Sequence, residues 1–332
     1  MKLARTVSAL PKTCALPMLW VWLAAPSPAL ADFPDKPIRM IVPFAAGGPT
    51  DVVARMLAEK MGAALKQSVV VDNRGGAGGA IGTDAVAKAR PDGYTLGLAT
   101  ASTHEFTPAC NKDTPYDPVN DFQMIGMISS TPTVLFVKRE SPLPGLKEVL
   151  ELSRQNREPV TWGVPGNCSN MHFLLELINK SANAKIAPIP YRGNSAANTD
   201  LLAGQITMVG DAVSPATLGL IKSGSVRPIA LSAKTDVEPL QNVPTYAELG
   251  INVGTFSAWQ GLVAPAKTPP EIVEKLNGAL RTALADPELK SKWVSAGIAP
   301  SQANAPDIMR SRIKAGFENS RKLAEELHLS AK

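Results

Sequence analysis

The stretch Pro43-Phe44-Ala45-Ala46-Gly47-Gly48-Pro49-Thr50-Asp51 stands between an apolar run, Ile38 to Val42, and a helix-like run, Val52 to Leu65. The two runs predict a buried strand followed by a helix. Glycine lets the backbone turn tightly between them, and proline, threonine and aspartate suit the first positions of a helix. Because free amides at a helix start attract anions, the stretch predicts either an anion-binding turn or an ordinary capped connection.

The strand-to-helix pattern of this stretch recurs along the whole chain. Strands are predicted at 38–42, 68–72, 94–100, 133–138, 160–164, 186–191, 206–210, 226–232 and 256–265. Helices are predicted at 52–65, 171–180, 196–203, 269–285, 287–296 and 305–327, with one more ending at Ala89. Such alternation is typical of an α/β fold, in which ligands bind at the carboxyl ends of strands.

Residues 1–31 have the composition of an export signal. Three basic residues precede an apolar run from Cys14 to Ala25, and the segment ends in Ala29-Leu30-Ala31. The apolar run is too short to span a membrane, and the terminal A-x-A suits cleavage after Ala31. We therefore expect a periplasmic mature protein and exclude this segment from the fold.

The charge of the mature chain argues against nucleic-acid binding. The whole chain has 34 Lys and Arg against 29 Asp and Glu, but residues 1–31 hold three basic residues and no acidic one. The remaining 301 residues therefore carry a formal net charge of +2, and their basic residues are scattered. A nucleic-acid-binding protein concentrates basic residues in a patch instead.

Two cysteines, Cys110 and Cys168, remain after removal of the signal. In an oxidising compartment such a pair most simply forms one disulfide. The alternative is a zinc site that adds His104 and His172, because Cys168 and His172 have the i, i+4 spacing of one helical face. Exported cysteines usually oxidise, so we expect the disulfide and no metal.

The glycine-rich segment 73–82 invites comparison with a dinucleotide-binding loop, but its spacing does not fit. Ile81 occupies the position of the third glycine in G-x-G-x-x-G, and no acidic residue ends the next predicted strand, 94–100. A tight turn that packs a helix closely on its sheet accounts for these glycines. No cofactor is predicted.

A set of short motifs runs in order along almost the whole mature chain. The motifs are Pro43-Phe44 through Gly47-Gly48-x-x-Asp51, Val71-Asp72-Asn73-Arg74-x-Gly76-Ala77, Pro91-Asp92-Gly93-Tyr94-Thr95-Leu96, Tyr116-Asp117 with Asp121-Phe122, Gly166 with His172, Pro190-Tyr191-Arg192-Gly193, Asp200-Leu201-Leu202-x-Gly204-Gln205, Val243-Pro244-Thr245 with Glu248-x-Gly250, and Trp259-x-Gly261. Together they resemble the tripartite tricarboxylate transporter receptor family, also called Bug-type extracytoplasmic solute-binding proteins. Each motif is weak alone, but the ordered set is specific.

The resemblance implies a two-lobed periplasmic binding protein of the type II, or Venus flytrap, architecture, with a ligand cleft between the lobes. It implies a small carboxylated solute, such as a di- or tricarboxylate, an aromatic carboxylate or an acidic amino acid, delivered to membrane transporter subunits. Loop amides, small polar side chains and water hold the ligand in this family. We expect a monomer without catalytic activity. Cys110, Cys168 and Val209-Gly210-Asp211, which replaces an apolar-Phe-Asp sequence, depart from the family pattern.

The order of the elements predicts where the lobes divide. Residues 32–131 and 253–332 are expected to form a discontinuous first lobe, and residues 132–252 a second lobe inserted into it. The chain would cross between them near Ser130–Thr133 and near 251–255. Two connections between compact units favour a hinge, so the lobes are expected to close on the ligand.

Candidate ligand-binding residues lie at the turns that follow strands. They are Phe44, Gly47, Gly48, Pro49, Thr50, Asp51, Ala101, Ser102, Thr103, His104, Asn167, Cys168, Ser169, Tyr191, Gly193, Asn194 and Asp211. Three of these turns precede helices and predict three sets of free amides. Asp51 has two interpretations, a first-turn helix acid or a contact to a ligand amine, hydroxyl or protonated group.

Two other functions remain open on the sequence alone. An exported hydrolase would use Cys168 or Ser169 as its nucleophile and His172 or His104 as its base, although the chain has no G-x-S-x-G motif. A sensory module of the same fold would instead report ligand binding to a receptor protein.

Overall fold

Two β-sheets carry the fold of the computed structural model, which describes residue 4 and residues 33–254, 256–301 and 305–329. The strands in chain order are β1 (Ile38–Val42), β2 (Val69–Asn73), β3 (Thr95–Thr100), β4 (Phe122–Thr131), β5 (Thr133–Lys138), β6 (Val160–Val164), β7 (Ile186–Pro190), β8 (Met208–Ala212), β9 (Val226–Leu231), β10 (Ala258–Pro265) and β11 (Ala299–Pro300). The predicted export signal, apart from residue 4, and the cleavage after Ala31 lie outside the described residues.

Ten α-helices surround the sheets in the described part of the chain. They are α1 (Pro49–Leu65), α2 (Ala80–Ala87), α3 (Thr107–Cys110), α4 (Leu146–Gln155), α5 (Asn170–Ala182), α6 (Asn194–Leu202), α7 (Pro215–Lys222), α8 (Pro270–Ala285), α9 (Pro287–Ser295) and α10 (Pro306–Glu326). A 3-10 turn, Ala77–Gly79, precedes α2, and a π-helical turn, Ser102–Phe106, precedes α3. No helix in this part is long and apolar enough to cross a membrane.

The first sheet has the order β11-β4-β10-β3-β1-β2 and the second has the order β7-β6-β8-β5-β9. Strands β1, β2 and β3 run parallel, and so do β6, β7 and β8. Strand β10 is antiparallel to β3 and β4, and β5 is antiparallel to β8 and β9. In each parallel core the carboxyl ends of the strands lie at one edge, where the loops carry the candidate site.

The chain passes between the sheets twice. Strand β4 ends at Thr131 in the first sheet and β5 begins at Thr133 in the second, with Pro132 between them. The chain returns between Thr245, which bridges to Leu231 of β9, and Ala258, which begins β10. We call the halves built on the first and second sheets the first lobe and the second lobe. The predicted limits, 32–131 with 253–332 for the first lobe and 132–252 for the second, stay predictions; one crossing residue, 255, is outside the described part.

Glycines bring the two lobes into backbone contact. A Cβ on Gly166 of the second lobe would lie 2.5 Å from the backbone nitrogen of Gly78 in the first. A Cβ on Gly75 would lie 2.7 Å from the carbonyl oxygen of Arg192. Any larger residue at these points would hold the lobes apart. The lobes therefore touch in this structure, and the described residues from Pro34 onward pack as one compact unit.

The predicted disulfide is present and joins the lobes. Cys110 ends α3 of the first lobe, and Cys168 lies between β6 and α5 of the second, with their Cα atoms 5.7 Å apart. Beside the bond, the ring of Phe106 lies 4.7 Å from that of Phe173, which belongs to α5. The cysteines of the alternative zinc site are thus bonded to each other, and no group of three metal-ligating side chains occurs within the described ranges.

We predict that neither cysteine of the purified mature protein reacts with an alkylating reagent unless the protein is first reduced. The bond closes a loop of 58 residues, so its removal in a Cys110→Ser, Cys168→Ser double variant should lower the free energy of unfolding by about 2–4 kcal/mol. Mass spectrometry after alkylation and denaturant titration measure the two effects. Alkylation of both cysteines without reduction would contradict the bond.

Candidate functional site

A cavity opens between the two lobes at the carboxyl ends of the parallel strands. Its volume is about 570 Å³, including space that is open to solvent. Its walls come from both lobes and comprise Phe44, Ala45, Gly48, Pro49, Thr50, Thr100, Ala101, Ser102, Pro165, Asn170, Met171, Asn194, Asp211, Ala212, Ala258, Trp259 and Gln260. The cavity is small and mixed in polarity, as suits a ligand of low molecular weight.

Helix α1 begins at this cavity with amides that lack protein partners. Its N-cap is Gly48, which has no side chain to cap the helix, and Pro49 has no N–H group. The N–H groups of Thr50 and Asp51 make no hydrogen bond to the described residues, whereas Val52 donates to the Gly48 carbonyl. Two amides at the positive end of the helix dipole are thus available to an anion.

Helix α6 presents a second such terminus from the opposite lobe. Its N-cap is Gly193, whose φ of 144° is a conformation that glycine favours, and it makes no side-chain cap. The amides of Asn194, Ser195 and Ala196 have no hydrogen-bond partner in the part of the chain that the structure describes. An anion between α1 and α6 would therefore meet free amides from both lobes.

The third predicted set of amides, at α5, is already satisfied by the protein. Asn170 N–H donates to the Ser102 hydroxyl at 3.0 Å, and Met171 N–H donates to the Asn170 side-chain oxygen at 2.9 Å. The Ser169 hydroxyl caps the helix by accepting from His172 N–H at 3.3 Å. The expectation that all three turns offer free amides is thus wrong for this one, because Ser102, Asn170 and Ser169 supply the missing acceptors.

Three buried side-chain oxygens on the cavity wall have no hydrogen-bond partner within the described ranges. They are Asn194 Oδ1, Asp211 Oδ2 and Gln260 Oε1. Asn194, Asp211 and Gln260 are 8%, 4% and 7% exposed, respectively. Buried polar atoms nearly always find a partner in the functional state, so these acceptors point to donor groups on a ligand or on bound water.

Asp211 has no cation beside it. Burial raises the pKa of its carboxyl group to about 7, and the nearby Asn194 amide and the Ala212 N–H oppose this rise only in part. The Ala212 N–H donates to Asp211 Oδ1 at 2.8 Å, and Oδ2 is buried. The site therefore contains a carboxyl group whose ionised form is poorly stabilised.

Trp259 forms part of the wall and is fixed from behind. Its indole N–H donates to Glu105 Oε1 at 2.9 Å, and the Arg312 guanidinium lies 5.5 Å from the ring centroid. Burial raises the pKa of Glu105 to about 7, while Arg312 and the Trp259 hydrogen bond oppose the rise. The indole is 1% exposed, so it gives the cavity a rigid apolar surface.

The cavity brings together about half of the predicted site residues. Phe44, Gly48, Pro49, Thr50, Ala101, Ser102, Asn194 and Asp211 line it. They come from the β1–α1 turn, the end of β3, the start of α6 and strand β8, so four of the segments selected from the sequence reach the cavity.

Gly47 and Asp51 lie behind the lining and hold the β1–α1 turn in place. Asp51 Oδ2 accepts from Gly47 N–H at 2.9 Å and from Arg55 Nε at 3.0 Å. Burial raises the pKa of Asp51, but the hydrogen bonds from Arg55, Gly47 and Asn73 bring it below its ordinary value. Of its two interpretations, this geometry favours the first-turn helix acid.

Thr103 and His104 face the core of the first lobe and lie outside the cavity lining. The π-helical turn after β3 carries their side chains away from the cleft. His104 is fully buried, with its ring 4.8 Å from that of Phe122 and Nδ1 2.9 Å from the Thr103 hydroxyl. Burial lowers the pKa of His104 to about 3, so it is a neutral core histidine.

The remaining predicted residues also lie outside the lining, each for a structural reason. Cys168 is in the disulfide and Ser169 caps α5. The carbonyl oxygen of Asn167 lies close to Gly78 at the contact between the lobes. The Tyr191 hydroxyl donates to Asp200 Oδ2 at 2.7 Å, and Gly193 supplies the N-cap of α6.

Several lining residues were missed from the sequence. Gln260 and Trp259 belong to β10, which returns to the first sheet after the second lobe, and the motif Trp259-x-Gly261 was their signal. Asn170 and Met171 begin α5, where only the residues before the helix were selected. Their positions depend on how the lobes face each other, which no local pattern encodes.

The pairing that a hydrolase needs is not formed by the candidate residues. The Cys168 sulfur is bonded to Cys110, and the His172 ring nitrogen Nδ1 accepts from the Cys168 N–H at 3.0 Å. The Ser169 hydroxyl is engaged as the cap of α5. A nucleophile needs a base aligned on it, and neither histidine is aligned on these two groups.

Comparison with known proteins identifies the family that this chain matches. The family model described as "Tripartite tricarboxylate transporter family receptor" matches residues 53–329. Protein BugT of Bordetella pertussis is 36% identical over 286 residues, which cover 86% of this chain and 87% of BugT.

Three solved structures share the fold. Periplasmic binding protein BugD has a TM-score of 0.86 and 32% identity, covering 90% of this chain and 100% of its own. R. palustris Rpa4515 with adipate has a TM-score of 0.83 and 30% identity, with coverages of 90% and 99%. MatC (Rpa3494) from Rhodopseudomonas palustris with bound malate has a TM-score of 0.83 and 27% identity, with coverages of 88% and 99%. The predicted periplasmic-binding-protein fold is thus confirmed.

We predict that the Asp211→Asn variant becomes more stable relative to the wild-type protein as the pH rises from 4 to 8. The pKa of Asp211 is about 7 in the folded protein against an ordinary 3.8. The folded state therefore binds the proton more tightly, and stability is lost as the pH rises between these values. Over this pH range the unfolding free energy of the variant relative to the wild-type protein should rise by at most about 4 kcal/mol. Glu105, whose pKa is also raised by burial, is present in both proteins, so its contribution cancels in the difference between their unfolding free energies. A difference in unfolding free energy that stays constant with pH would contradict the prediction.

Proposed function

The chain belongs to the tripartite tricarboxylate transporter receptor family of periplasmic solute-binding proteins, and we propose that it captures a small carboxylated solute between its lobes and delivers it to membrane transporter subunits. The proposal includes a monomeric receptor without catalytic activity, released into the periplasm by cleavage after Ala31. A sensory module of the same fold is the runner-up, and a small and a large membrane subunit encoded beside it would favour transport.

The observation that carries this proposal is the pair of unsatisfied helix starts at one cavity between the lobes. Helices α1 and α6 come from different lobes, and each begins with amides that the protein leaves without acceptors. A carboxylate has two oxygens, each able to accept from more than one N–H group. One carboxylate can therefore satisfy amides from both lobes, with the helix dipoles adding to the attraction.

Two related structures support a carboxylate ligand. Rpa4515 was solved with adipate and MatC with malate, and both are dicarboxylates. Among the residues that the structure describes, no Lys, Arg or His side chain lines the cavity. Recognition would thus rest on backbone amides, which bind an anion without a charged clamp.

We predict that a thermal-shift screen of di- and tricarboxylates, aromatic acids and amino acids finds at least one carboxylate that stabilises the mature protein. Thr50→Pro, which deletes one free amide of α1, should weaken binding of that carboxylate about tenfold to hundredfold, the effect of one hydrogen bond to a charged group. Glu271→Pro is the matched control, because it changes the second residue of α8, which also follows a proline. Stabilisation by uncharged solutes alone, or equal losses in both variants, would contradict the proposal.

We also predict that the lobes close on the ligand. Gly75→Ala would place a Cβ 2.7 Å from the Arg192 carbonyl oxygen across the contact between lobes, so it should hinder closure and weaken binding. Gly278→Ala, where a Cβ meets nothing within 4 Å, is the control. Small-angle scattering should show a smaller radius of gyration when the carboxylate found in the screen is added. An unchanged radius with unchanged affinity in Gly75→Ala would place the ligand on one lobe.

A further inference from the structure

A buried carboxyl group, Glu105, contacts the cavity wall from behind and has no part in the binding of an anion by helix amides. It belongs to the π-helical turn after β3, is 8% exposed and lies outside the cavity lining. Its Oε1 accepts from the indole N–H of Trp259 at 2.9 Å, and Trp259 does line the cavity. Glu105 is thus one hydrogen bond away from any ligand that touches this indole.

Helix α10 leaves space for this carboxyl group. Gly316 lies in the interior of α10, where glycine is the least favourable residue after proline. A Cβ at this position would overlap the carboxyl carbon and Oε1 of Glu105. Arg312, four residues earlier on the same face of the helix, places its guanidinium 5.5 Å from the centroid of the Trp259 ring. Two elements that are distant in the sequence therefore enclose the contact between Glu105 and Trp259.

The need of a buried indole for an acceptor does not by itself explain Glu105. Trp162 and Trp293 are also buried, and their Nε1 atoms have no hydrogen-bond partner among the described residues. The fold thus tolerates a buried indole without an acceptor. Burial raises the pKa of Glu105 to about 7, although Arg312 and the Trp259 hydrogen bond oppose the rise, so the ionised carboxyl is poorly stabilised where it lies. A carboxyl group buried at this cost beside a binding cavity indicates a role in binding.

We propose, resting on the function proposed above, that Glu105 is a positioning residue that holds the Trp259 indole in the orientation in which it lines the cavity. The hydrogen bond fixes the ring edge that carries Nε1, and the Arg312 guanidinium lies near the same ring. An indole that is fixed beforehand loses no rotational freedom when a ligand binds, which lowers the entropic cost of binding. The N–H group is the single donor of the indole, so its bond to Glu105 leaves carbon atoms of the ring for the ligand.

The first test follows the indole N–H signals of the nitrogen-15-labelled mature protein by NMR at pH 8, where Glu105 is mostly ionised. Three tryptophans follow the export signal, and the loss of one signal in Trp259→Phe assigns Trp259. Because a hydrogen bond to a carboxylate moves the N–H proton downfield, Glu105→Leu should shift this signal upfield, and Glu105→Gln, which keeps an acceptor, should shift it less. Gly316→Ala, which displaces the carboxyl group, should also shift it upfield. A Trp259 signal that stays in place in Glu105→Leu and Gly316→Ala would overturn the proposal.

The second test measures the affinity of the same variants for the carboxylate found in the thermal-shift screen, by isothermal titration calorimetry at pH 8. Glu105→Leu and Gly316→Ala should each bind about threefold to tenfold more weakly than the wild-type protein, the effect of freeing one large side chain. Glu105→Gln should retain the wild-type affinity, because its Oε1 can still accept from the indole. Gly278→Ala, a glycine replaced inside α8 where a Cβ meets nothing within 4 Å, is the control and should bind as the wild type does.

Denaturant titration separates this role from a loss of folding. An apolar residue in place of a buried charge is often neutral or stabilising, so Glu105→Leu should unfold at no lower denaturant concentration than the wild type although it binds more weakly. Gly316→Ala keeps Glu105 and decides the question if Glu105→Leu folds poorly. Unchanged affinity in both variants, or an equal loss in Glu105→Gln, would overturn the proposal and leave the carboxylate receptor standing. If no carboxylate binds the wild-type protein, the proposed function and this role in binding both fail.

Discussion

An α-helix begins with amides that its own carbonyls cannot satisfy, and this constraint organises the cleft. Three helices start at the junction of the lobes, and the chain treats them differently. At α5 the side chains of Ser169, Asn170 and Ser102 accept hydrogen bonds from the first-turn amides, so these amides are satisfied within the protein. At α1 and α6 a glycine replaces the capping side chain, and the amides stay open to the cavity. The difference between a serine cap and a glycine cap thus separates a structural helix start from one available to a ligand.

The contact between the lobes is also made by the backbone. Glycine at 75, 78 and 166 lets main chain approach main chain, so that loops from both sheets enclose a small cavity. The bond between Cys110 and Cys168 joins the two lobes, beside the tilted rings of Phe106 and Phe173. Motion between the lobes is therefore expected to pivot near this covalent tie. A tethered cleft has fewer open conformations, which reduces the entropy lost on closing.

The strands and most helices could be predicted from the sequence because their signals are local. The Ile38–Val42 strand, the Thr133–Lys138 strand and the proline-led C-terminal helices follow from periodicity and capping residues. Strand β4 and helices α4 and α7 were not predicted. Helix α4 begins after Gly145 without a side-chain cap, whereas the Ser214-Pro215 pair at the start of α7 is a signal that could have been used. His104 was misplaced because a π-helical turn rotates it into the core. Gln260 and Asn170 reach the cavity only through the meeting of two lobes, which is a tertiary property.

The position of the ligand carboxylate is the most direct measure of how this cleft works. A crystal structure of the mature protein with a bound carboxylate should place one carboxylate oxygen about 3 Å from the amide nitrogen of Thr50, and the other equally close to a first-turn amide of α6. A carboxylate bound instead in the open groove lined by Asn277, Arg281 and Lys290, or to one lobe alone, would contradict the binding of an anion between two helix starts.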